Sequence, residues 1–252
     1  MDPASVPLTI IIPTLDEADQ IAECLERAVW ADEIIVADAG SQDATVSLAR
    51  ERGARVLERT GPTIAAQRNA AISVARNEWV LAIDADERIT EPLREEIARV
   101  VRHPCHAAYR IRRRNFYLGR ELTRGHWGKD WVTRLFTRDR RYVDRRVHEH
   151  LEPVANIGIL RGCLDHTPYR TLSHQIDKMN RYARWGAEDL YQAGERAGIW
   201  DLTARPLGRF LRSYLLQGSF WDGKSGVVAS TLGAYTAFLK YAHLWALERQ
   251  SE

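Results

Sequence analysis

Short apolar strands alternate with amphipathic helical segments through the first hundred residues of the chain. Four runs of apolar, often β-branched residues predict strands, at residues 8–12, 33–37, 54–57 and 79–83. Strands that are apolar along their whole length and joined by helices are typical of a parallel sheet covered on both faces. The sequence therefore predicts an α/β fold with a Rossmann-like, mostly parallel central sheet and helices on both faces.

Polar residues follow three of these strands at the point where each strand ends. Thr14 and Asp16 follow the first strand. Asp38 and Ser41 follow the second, and an Asp-Ala-Asp triplet at residues 84–86 follows the fourth. Open parallel sheets bind ligands beyond the carboxyl ends of their strands. We therefore expect these polar residues to converge on one crevice.

The fourth strand runs directly into Asp84, Asp86 and Glu87. Two carboxylates 4 Å apart repel by about 4 kcal/mol at an effective dielectric constant of ~20. Side chains two positions apart on an extended segment point the same way. Such a carboxylate pair suits Mg²⁺ or Mn²⁺, which keep coordination positions open for phosphate. We expect the pair to bind a cation together with a nucleotide diphosphate, and a solvated turn is the alternative.

The pattern changes after a predicted helix at residues 91–101. Residues 108–112 and 131–138 alternate polar and apolar residues, as exposed or antiparallel strands do. From Ser173 onwards the pattern is helical, and FWDGKSG at residues 220–226 interrupts an apolar, aromatic tail. The C-terminal part of the chain is therefore expected to be a helical extension.

Positive charge is concentrated in the middle of the chain. Residues 110–146 contain thirteen Lys or Arg and four acidic residues, although the whole sequence has a net charge of only +2. This asymmetry indicates an anionic partner, such as a phosphorylated or acidic glycan or an anionic membrane surface. A solvated arginine surface is the alternative. No nucleic-acid-binding module is recognisable, so we expect no nucleic acid partner.

The tail contains an uncharged stretch at residues 226–239, shorter than the ~20 residues that a membrane-spanning helix needs. It predicts either a helix packed on the protein or an amphipathic helix at a membrane interface. In the second case Trp221, Tyr235, Tyr241 and Trp245 would lie near the headgroups. The three cysteines lack metal-binding spacing, and no signal-peptide pattern is present. We expect a cytoplasmic protein, with peripheral contact to the inner face of the cytoplasmic membrane left open.

Three motifs together resemble the family 2 glycosyltransferases of GT-A fold. They are IIPTLDEADQIAECL, in which Asp16 stands where the family usually has Asn, ADEIIVADAGSQDAT, and AAQRNAAISVARNEWVLAIDADERI, which contains the family's metal-binding DxD. The later segments WVTRLFTR, RRVHEH, DHTPYR and FWDGKSG resemble the subgroup that adds sugars to the inner core of bacterial lipopolysaccharide, typified by a β-1,4-glucosyltransferase. The resemblance implies a catalytic domain at 1–170, with a nucleotide half at 1–102 and an acceptor half at 103–170, and a helical extension at 171–252.

The resemblance implies that a UDP-sugar donor lies at the strand ends. Thr14 and Asp16 would hold the nucleoside, and Asp38 would accept a hydrogen bond from uracil N3–H, because a fixed donor on the base edge requires an acceptor at the strand tip. Arg68 would reach the diphosphate or the nucleotide. The expected nucleotide-binding residues are Pro13, Thr14, Asp16, Asp38, Ser41, Arg68, Asp84, Ala85 and Asp86.

The resemblance also implies a Mn²⁺ or Mg²⁺ cofactor that neutralises charge on the departing diphosphate. Asp86 is the principal ligand expected, supported by Asp84, and a histidine would complete the shell. The expected metal ligands are Asp84, Asp86, His148 and His166.

Inversion by a single displacement requires a base that takes the proton of the acceptor hydroxyl. Glu149 is the first candidate and Asp130 the second. A structural ion pair with a neighbouring arginine is the alternative role for either residue.

The resulting expectation is a metal-dependent inverting glycosyltransferase that moves a hexose from UDP-glucose or a similar donor to a lipopolysaccharide core or related envelope glycan. A polyprenyl-phosphate or protein acceptor, and a catalytically inactive sugar-nucleotide-binding protein, remain alternatives. A nucleotidyltransferase is disfavoured because the segment PTLDEAD is acidic and lacks the glycine-rich, basic nucleotide loop usual in that class.

Overall fold

The computed structural model describes residues 6–143, 150–169 and 171–250. Within these residues the chain divides into two compact units. The first contains the chain up to residue 113 together with residues 131–166, and the second contains residues 114–130 and the chain from residue 167 onwards. The division differs from the expected boundary at residue 170, because an internal segment belongs with the C-terminal helices.

Nine strands form among the described residues. They are β1 (Val6–Thr14), β2 (Ala31–Asp38), β3 (Arg55–Leu57), β4 (Trp79–Ala82), β5 (Glu87–Ile89), β6 (Ala108–Tyr117), β7 (Arg120–Leu122), β8 (Asp130–Thr137) and β9 (Ile157–His166). The order β3-β2-β1-β4 is parallel throughout. Beyond β4 the sheet continues as β8-β6-β9-β5, and the pairs β4–β8 and β5–β9 are antiparallel. The parallel part is therefore the part in which strands alternate with helices along the chain.

Helices cover both faces of this sheet. The helices of the first unit are α1 (Ala18–Glu26), α2 (Thr45–Glu51), α3 (Ile64–Val74) and α4 (Glu91–Arg102). Along β1, Ile10 and Ile12 belong to a core that includes Leu25 of α1, whereas Ile11 belongs to a second core that includes Ile72 of α3. Burying each such side chain contributes about 1.5–3 kcal/mol, so the continuously apolar strand is stabilised on both sides.

This architecture confirms the predicted α/β class, with a mostly parallel sheet and a helical C-terminal extension. The four strands predicted in the first hundred residues are β1 to β4. β5, β7 and β9 were not predicted. β5 and β7 have only three residues each, and β5 follows directly on the acidic triplet. β5 and β9 nevertheless contribute to the candidate site.

The second unit is built around long helices. Its helices are α5 (Leu172–Gln192), α6 (Ile199–Leu202), α7 (Ala204–Leu211) and α8 (Gly223–Gln250), and α8 packs against α5 and α7. A π-helical turn over Arg212–Leu216 and a 3₁₀ turn over Ser219–Asp222 connect α7 to α8. The end of β6 pairs with β7 in this unit. Among the described residues, no helix is both long enough and apolar enough to cross a bilayer.

Candidate active site

The carboxyl ends of β1 and β2 carry one connected polar cluster. The parallel register sets Thr14 beside Asp38, and the Thr14 hydroxyl donates to Asp38 Oδ1 at 3.1 Å. The Ser41 hydroxyl also donates to Oδ1, while Asp38 Oδ2 accepts from the backbone N–H groups of Gly40 at 2.7 Å and Ser41 at 2.8 Å. Asp38 is only 1% exposed. Its carboxylate therefore holds the loop that follows β2 in a fixed conformation.

Asp16 joins the loop after β1 to the loop after β2. Its backbone is left-handed, with φ of 56°, a conformation that Asp tolerates better than most residues. The Asp16 N–H donates to the Ser41 hydroxyl at 2.9 Å, and Asp16 Oδ1 accepts from the N–H of Gln42 at 2.7 Å. The structure thus brings Thr14, Asp16, Asp38 and Ser41 together, as the strand pattern predicted.

Arginines surround the acidic turn that follows β4. Arg68 Nη2 lies 2.5 Å from Asp84 Oδ1, and Arg134 Nη2 bridges Asp84 Oδ2 and Glu87 Oε1, the second contact at 2.9 Å. Arg113 adds a contact to Glu87 at 3.1 Å. Glu87, which is fully buried, also accepts the N–H of Asp84 at 3.0 Å. In the structure, guanidinium groups compensate the negative charges of Asp84 and Glu87, and the expected cation at Asp84 and Asp86 stays a prediction.

These arginines set the ionisation of Asp84. Burial raises the pKa of the Asp84 carboxyl, but the opposing charges of Arg134, Arg68 and Arg113 outweigh it and hold the pKa well below its ordinary value. Asp84 is consequently ionised across the range in which proteins are folded. The carboxylates of Asp84 and Glu87 in turn raise the pKa of Arg134 above its already high value, against the effect of burial.

Asp86, two positions after Asp84, lies beside His166. The antiparallel register of β5 and β9 aligns Glu87 with His166, and this brings His166 Nε2 to 3.5 Å from Asp86 Oδ2. Both residues are 8% exposed. A carboxylate oxygen and an imidazole nitrogen are ligands that Mn²⁺ accepts. The pair therefore fits a divalent cation whose other positions are filled by phosphate.

Of the other two expected metal ligands, only Asp84 is among the described residues. Within the described ranges, no group of three or more His, Cys, Asp or Glu is arranged to hold a metal ion. Asp84 is bound by Arg68 and Arg134. His148 lies outside the described residues, as does Glu149, the first candidate for the base. A cation at Asp86 and His166 would depend on a nucleotide for most of its ligands.

Arg68 is buried rather than extended towards solvent. It is 2% exposed, and its guanidinium lies over the ring of Tyr142, 4.8 Å from the centroid. The neighbouring Asn69 fixes the backbone of Tyr142. The Asn69 side-chain amide accepts from the Tyr142 N–H and donates to the Tyr142 carbonyl, each at 2.8 Å. Arg68 is therefore placed as the partner of Asp84, and its contact with a nucleotide stays a prediction.

Pro13 and Ala85 provide backbone rather than side-chain chemistry. Pro13 pairs with Ala37 between β1 and β2, one position before Thr14. Ala85 is 3% exposed, between the two acidic side chains of the triplet. Each residue lies in the chain directly beside the polar residues expected to bind the nucleotide.

Asp130, the second candidate for the base, is held in the second unit. Asn115 donates through Nδ2 to Asp130 Oδ2 at 3.3 Å and to the Trp127 carbonyl at 2.7 Å. Asn115 is 1% exposed. One amide thus fixes both Asp130 and the turn before it.

Asp222 of the FWDGKSG segment anchors the loop that leads to Asp130. Its carboxylate accepts from the N–H of Thr123 at 3.2 Å, the Thr123 hydroxyl at 2.9 Å and the N–H of Arg124 at 3.0 Å. Asp222 is 5% exposed. The sequence analysis treated the segment as a break in the tail and as part of the subgroup resemblance, without a role for its aspartate, and the structure gives Asp222 a positioning role.

The model of the family described as glycosyl transferase family 2 matches residues 9–165, more than half of the chain. The chain belongs to the family 2 glycosyltransferases. The matched range contains every residue of the strand-end clusters and the acidic turn, and it ends one residue before His166. The resemblance seen in the sequence motifs is confirmed, and the protein is an enzyme of the glycosyltransferase class.

Relatives of this glycosyltransferase align with it over nearly their whole length. It is 30% identical over 249 residues to the lipopolysaccharide core biosynthesis glycosyltransferase LpsC of Rhizobium meliloti, a match that covers 95% of this chain and 92% of LpsC. It is 27% identical over 259 residues to the uncharacterized glycosyltransferase RP128 of Rickettsia prowazekii, covering 97% of this chain and 89% of the relative.

A solved structure shares the fold of this glycosyltransferase. The crystal structure of S. aureus TarS 1–349 in complex with UDP-GlcNAc superposes with a TM-score of 0.50 and 14% identity, covering 97% of this chain and 92% of the TarS chain. At that identity the similarity shows the fold alone, which is GT-A. The predicted fold family is thereby confirmed.

Sequence reasoning missed the arginines that hold the acidic turn of this glycosyltransferase. Arg113 and Arg134 were counted only as part of a basic segment that suggested an anionic partner. A signal was available, because Arg134 directly precedes the apolar pair Leu135 and Phe136 in a predicted strand. A charged residue in such a strand is buried only when it is paired.

Proposed function

We propose that this glycosyltransferase transfers a hexose from UDP-glucose or a similar UDP-sugar, with inversion, to a lipopolysaccharide core or related envelope glycan. The part of the proposal that concerns the donor rests on the buried pair of Asp86 and His166. Asp86 follows β4, the strand that pairs with β1. The near full-length identity to LpsC supports the acceptor class. Transfer to a polyprenyl-phosphate or protein acceptor would contradict only the proposed acceptor and leave the proposed donor in place.

The nucleoside would lie at the ends of β1 and β2. Asp38 is the proposed acceptor for uracil N3–H, with Thr14 and Asp16 beside it. Four hydrogen bonds already fill the Asp38 carboxylate, two of them from the hydroxyl groups of Thr14 and Ser41. A carboxylate has about four lone-pair sites. Binding of uracil at Asp38 therefore requires one of these two hydroxyl groups to turn away.

Asp86 and His166 would hold Mn²⁺ or Mg²⁺, with Asp84 supporting the turn. The cation would stabilise negative charge on the departing diphosphate as a Lewis acid. Arg68 and Arg134 fix the Asp84 carboxylate from two sides and so hold the backbone that presents Asp86. Glu87 strengthens this by accepting the Asp84 N–H.

An acid must take the proton of the acceptor hydroxyl. Glu149 remains the first candidate, and Asp130 is the second. The hydrogen bond from Asn115 holds Asp130 Oδ2 in place. Replacing the base lowers kcat more than donor affinity, because the proton moves only in the transition state.

A lipopolysaccharide precursor is an anionic glycolipid, so the acceptor would be presented at a membrane surface. We therefore propose that the enzyme works in the cytoplasm and contacts the inner face of the cytoplasmic membrane peripherally. The same site would take a nucleotide-sugar donor and an anionic acceptor, and no nucleic acid.

The test measures UDP release and sugar transfer by the purified chain with UDP-glucose, UDP-galactose, UDP-GlcNAc and GDP-mannose, with MnCl₂, MgCl₂ or EDTA. Truncated lipopolysaccharide is the acceptor. We expect one UDP-sugar to be consumed faster with Mn²⁺ than with EDTA, and Asp86→Asn to lower kcat/KM about 100-fold or more, which is ~2.7 kcal/mol of transition-state stabilisation. Glu58→Gln, an exposed carboxylate elsewhere in the first unit, is the matched control and should keep full activity.

Two results would contradict the proposal. Tight UDP binding, seen as a thermal shift with UDP and MnCl₂, without turnover on any acceptor would identify a sugar-nucleotide-binding protein. Full activity of the Asp86→Asn variant in the presence of EDTA would show that the reaction does not need a metal ion.

A further inference from the structure

We propose that residues 199–221 of the second unit form a docking surface for an anionic lipid bilayer. This surface, called the docking surface below, comprises α6, α7 and the two turns that follow α7. The inference deepens the proposed function, since it rests on that function for the presence of a lipid-borne acceptor. The surface itself is inferred from exposed side chains, and none of them is a proposed catalytic residue.

The docking surface exposes large apolar side chains, which are normally buried in a folded protein. Trp200 is 75% exposed, Leu216 84% and Trp221 72%. None of the residues of α6 or α7 is buried. Contiguous exposed apolar side chains of this size mark interaction sites rather than ordinary surface.

Helical spacing gathers the apolar side chains into one stripe. Leu207, Leu211 and Leu215 are four residues apart and are exposed by 59%, 41% and 53%. Residues four apart lie on the same side of a helix. The stripe therefore runs along α7 into the π-helical turn, and Ile199 at 69% exposure lies on the helix before it.

The docking surface also carries exposed arginines. Arg205, Arg209 and Arg212 are all exposed. With 3.6 residues per turn, Arg212 lies next to Leu211 and Leu215, whereas Arg205 lies on the other side of the helix, over the ring of Tyr241 in α8. A leucine stripe on a helix that also exposes arginines is typical of a helix that lies in the plane of an anionic membrane interface. Arginine side chains can reach the headgroups while their aliphatic parts stay with the lipid chains.

The acidic residues within the docking surface do not oppose a negative membrane. Asp201 forms an ion pair with Arg205 and accepts the N–H of Gly198 at 2.9 Å. Asp222, just after the surface, is buried and bonded to Thr123 and Arg124. The exposed charge that remains is positive, which favours anionic lipid.

A second copy of this chain fits the surface less well. A symmetric dimer contact places the same patch of each copy against the other. The exposed arginines of one copy would then lie near those of its partner, and like charges repel. A bilayer of anionic lipid instead offers opposite charge and an apolar layer together.

The docking surface also changes the expectation drawn from the tail. Residues 226–239 lie in α8, which packs against α5 and α7. Tyr235 and Trp245 on α8 are exposed by only 41% and 48%, less than the tryptophans of the docking surface. Of the four aromatic residues expected at the headgroups, Trp221 alone belongs to the docking surface.

The test is co-sedimentation of the full chain with vesicles of phosphatidylglycerol and phosphatidylethanolamine, compared with vesicles of phosphatidylcholine. We expect binding to the anionic vesicles, weakened by added salt, and a blue shift of tryptophan fluorescence. Leu207→Glu/Leu211→Glu should reduce the bound fraction at least tenfold. Val29→Glu/Ile159→Glu, which changes apolar residues exposed by 67% and 65% in the first unit, is the matched control and should bind like the wild type.

A wild-type chain that stays in the supernatant with anionic vesicles would overturn the proposal, as would equal losses in the control variant. A docking-surface variant with altered sedimentation-equilibrium mass and unchanged vesicle binding would assign the surface to a second copy. Donor hydrolysis separates the two proposals. Vesicle binding without any transferase activity would refute the proposed function alone, and transferase activity without vesicle binding would refute the docking surface alone.

Discussion

Glu87 explains how an acidic cluster can be buried in this glycosyltransferase. One carboxylate oxygen receives Arg134 and Arg113, and the other accepts the Asp84 N–H. Burying charges costs several kcal/mol per ion unless geometry and hydrogen bonds compensate. Here the partners of Asp84 and Glu87 lie on helix α3 and on strands β6 and β8, so the turn that carries Asp86 is held by electrostatics as well as by backbone pairing.

We predict that Glu87→Gln lowers the free energy of unfolding by about 3 kcal/mol, because it leaves two guanidinium groups without their shared carboxylate. Urea unfolding monitored by circular dichroism measures the change. Glu58→Gln removes the exposed partner of Arg50 and should change stability by less than about 0.5 kcal/mol. Equal stability of the two variants would show that the buried network contributes little.

The connection between α7 and α8 requires glycine, because two backbone segments lie very close together there. Gly226 lies in the first turn of α8, where a Cβ atom would come within 1.8 Å of the Ser219 carbonyl oxygen. Gly218 and Gly223, with φ of 76° and 60°, allow the 3₁₀ turn between them. The FWDGKSG segment thus combines a backbone break with the aspartate that anchors the loop before Asp130.

We predict opposite effects for two Gly→Ala substitutions in helices of the second unit. Gly226→Ala should lower the free energy of unfolding by about 2 kcal/mol or more, because the clash is with backbone and forces a shift. Gly208→Ala in α7, where a Cβ would meet nothing within 4 Å, should raise it by about 0.5–1 kcal/mol through helix propensity. Thermal and urea unfolding measure both, and a stable Gly226→Ala variant would mean that the α7–α8 join can relax.

Over the whole molecule, charge in the sequence does not translate directly into a charged binding surface. Several arginines of the basic segment are used inside the first unit. Arg113 and Arg134 bind the acidic turn, and Arg138 donates to the carbonyls of Ala75 and Arg76. The expected anionic partner therefore rests less on this segment than its net charge suggested, and more on residues 199–221.

We predict that binding to a fluorescein-labelled DNA duplex, measured by anisotropy, disappears near physiological ionic strength of ~0.15 M, where screening acts within about 8 Å. The internal arginines cannot contact phosphate without breaking their ion pairs. A low-salt titration serves as the control for non-specific attraction. Micromolar affinity that persists at this ionic strength would contradict the expectation of no nucleic acid partner.

Local patterns in the sequence specified the order of strands and helices and the polar residues at three strand ends. These features depend on periodicity, apolar runs and breaking residues, all of which act over a few positions. The register of a parallel sheet then brings strand ends together, so the meeting of Thr14 with Asp38 could be anticipated.

The partners of the buried charges could be known only from the fold. Arg134 is 47 residues from Glu87 along the chain, and Asp222 is 99 residues from Thr123. His166 reaches Asp86 only because β9 pairs antiparallel with β5. No local pattern encodes such contacts, because they follow from strand pairing and helix packing across the chain. Local sequence patterns thus indicated most of the elements of the parallel sheet and where their polar ends lie, whereas long-range strand register decided which buried charges are paired with each other.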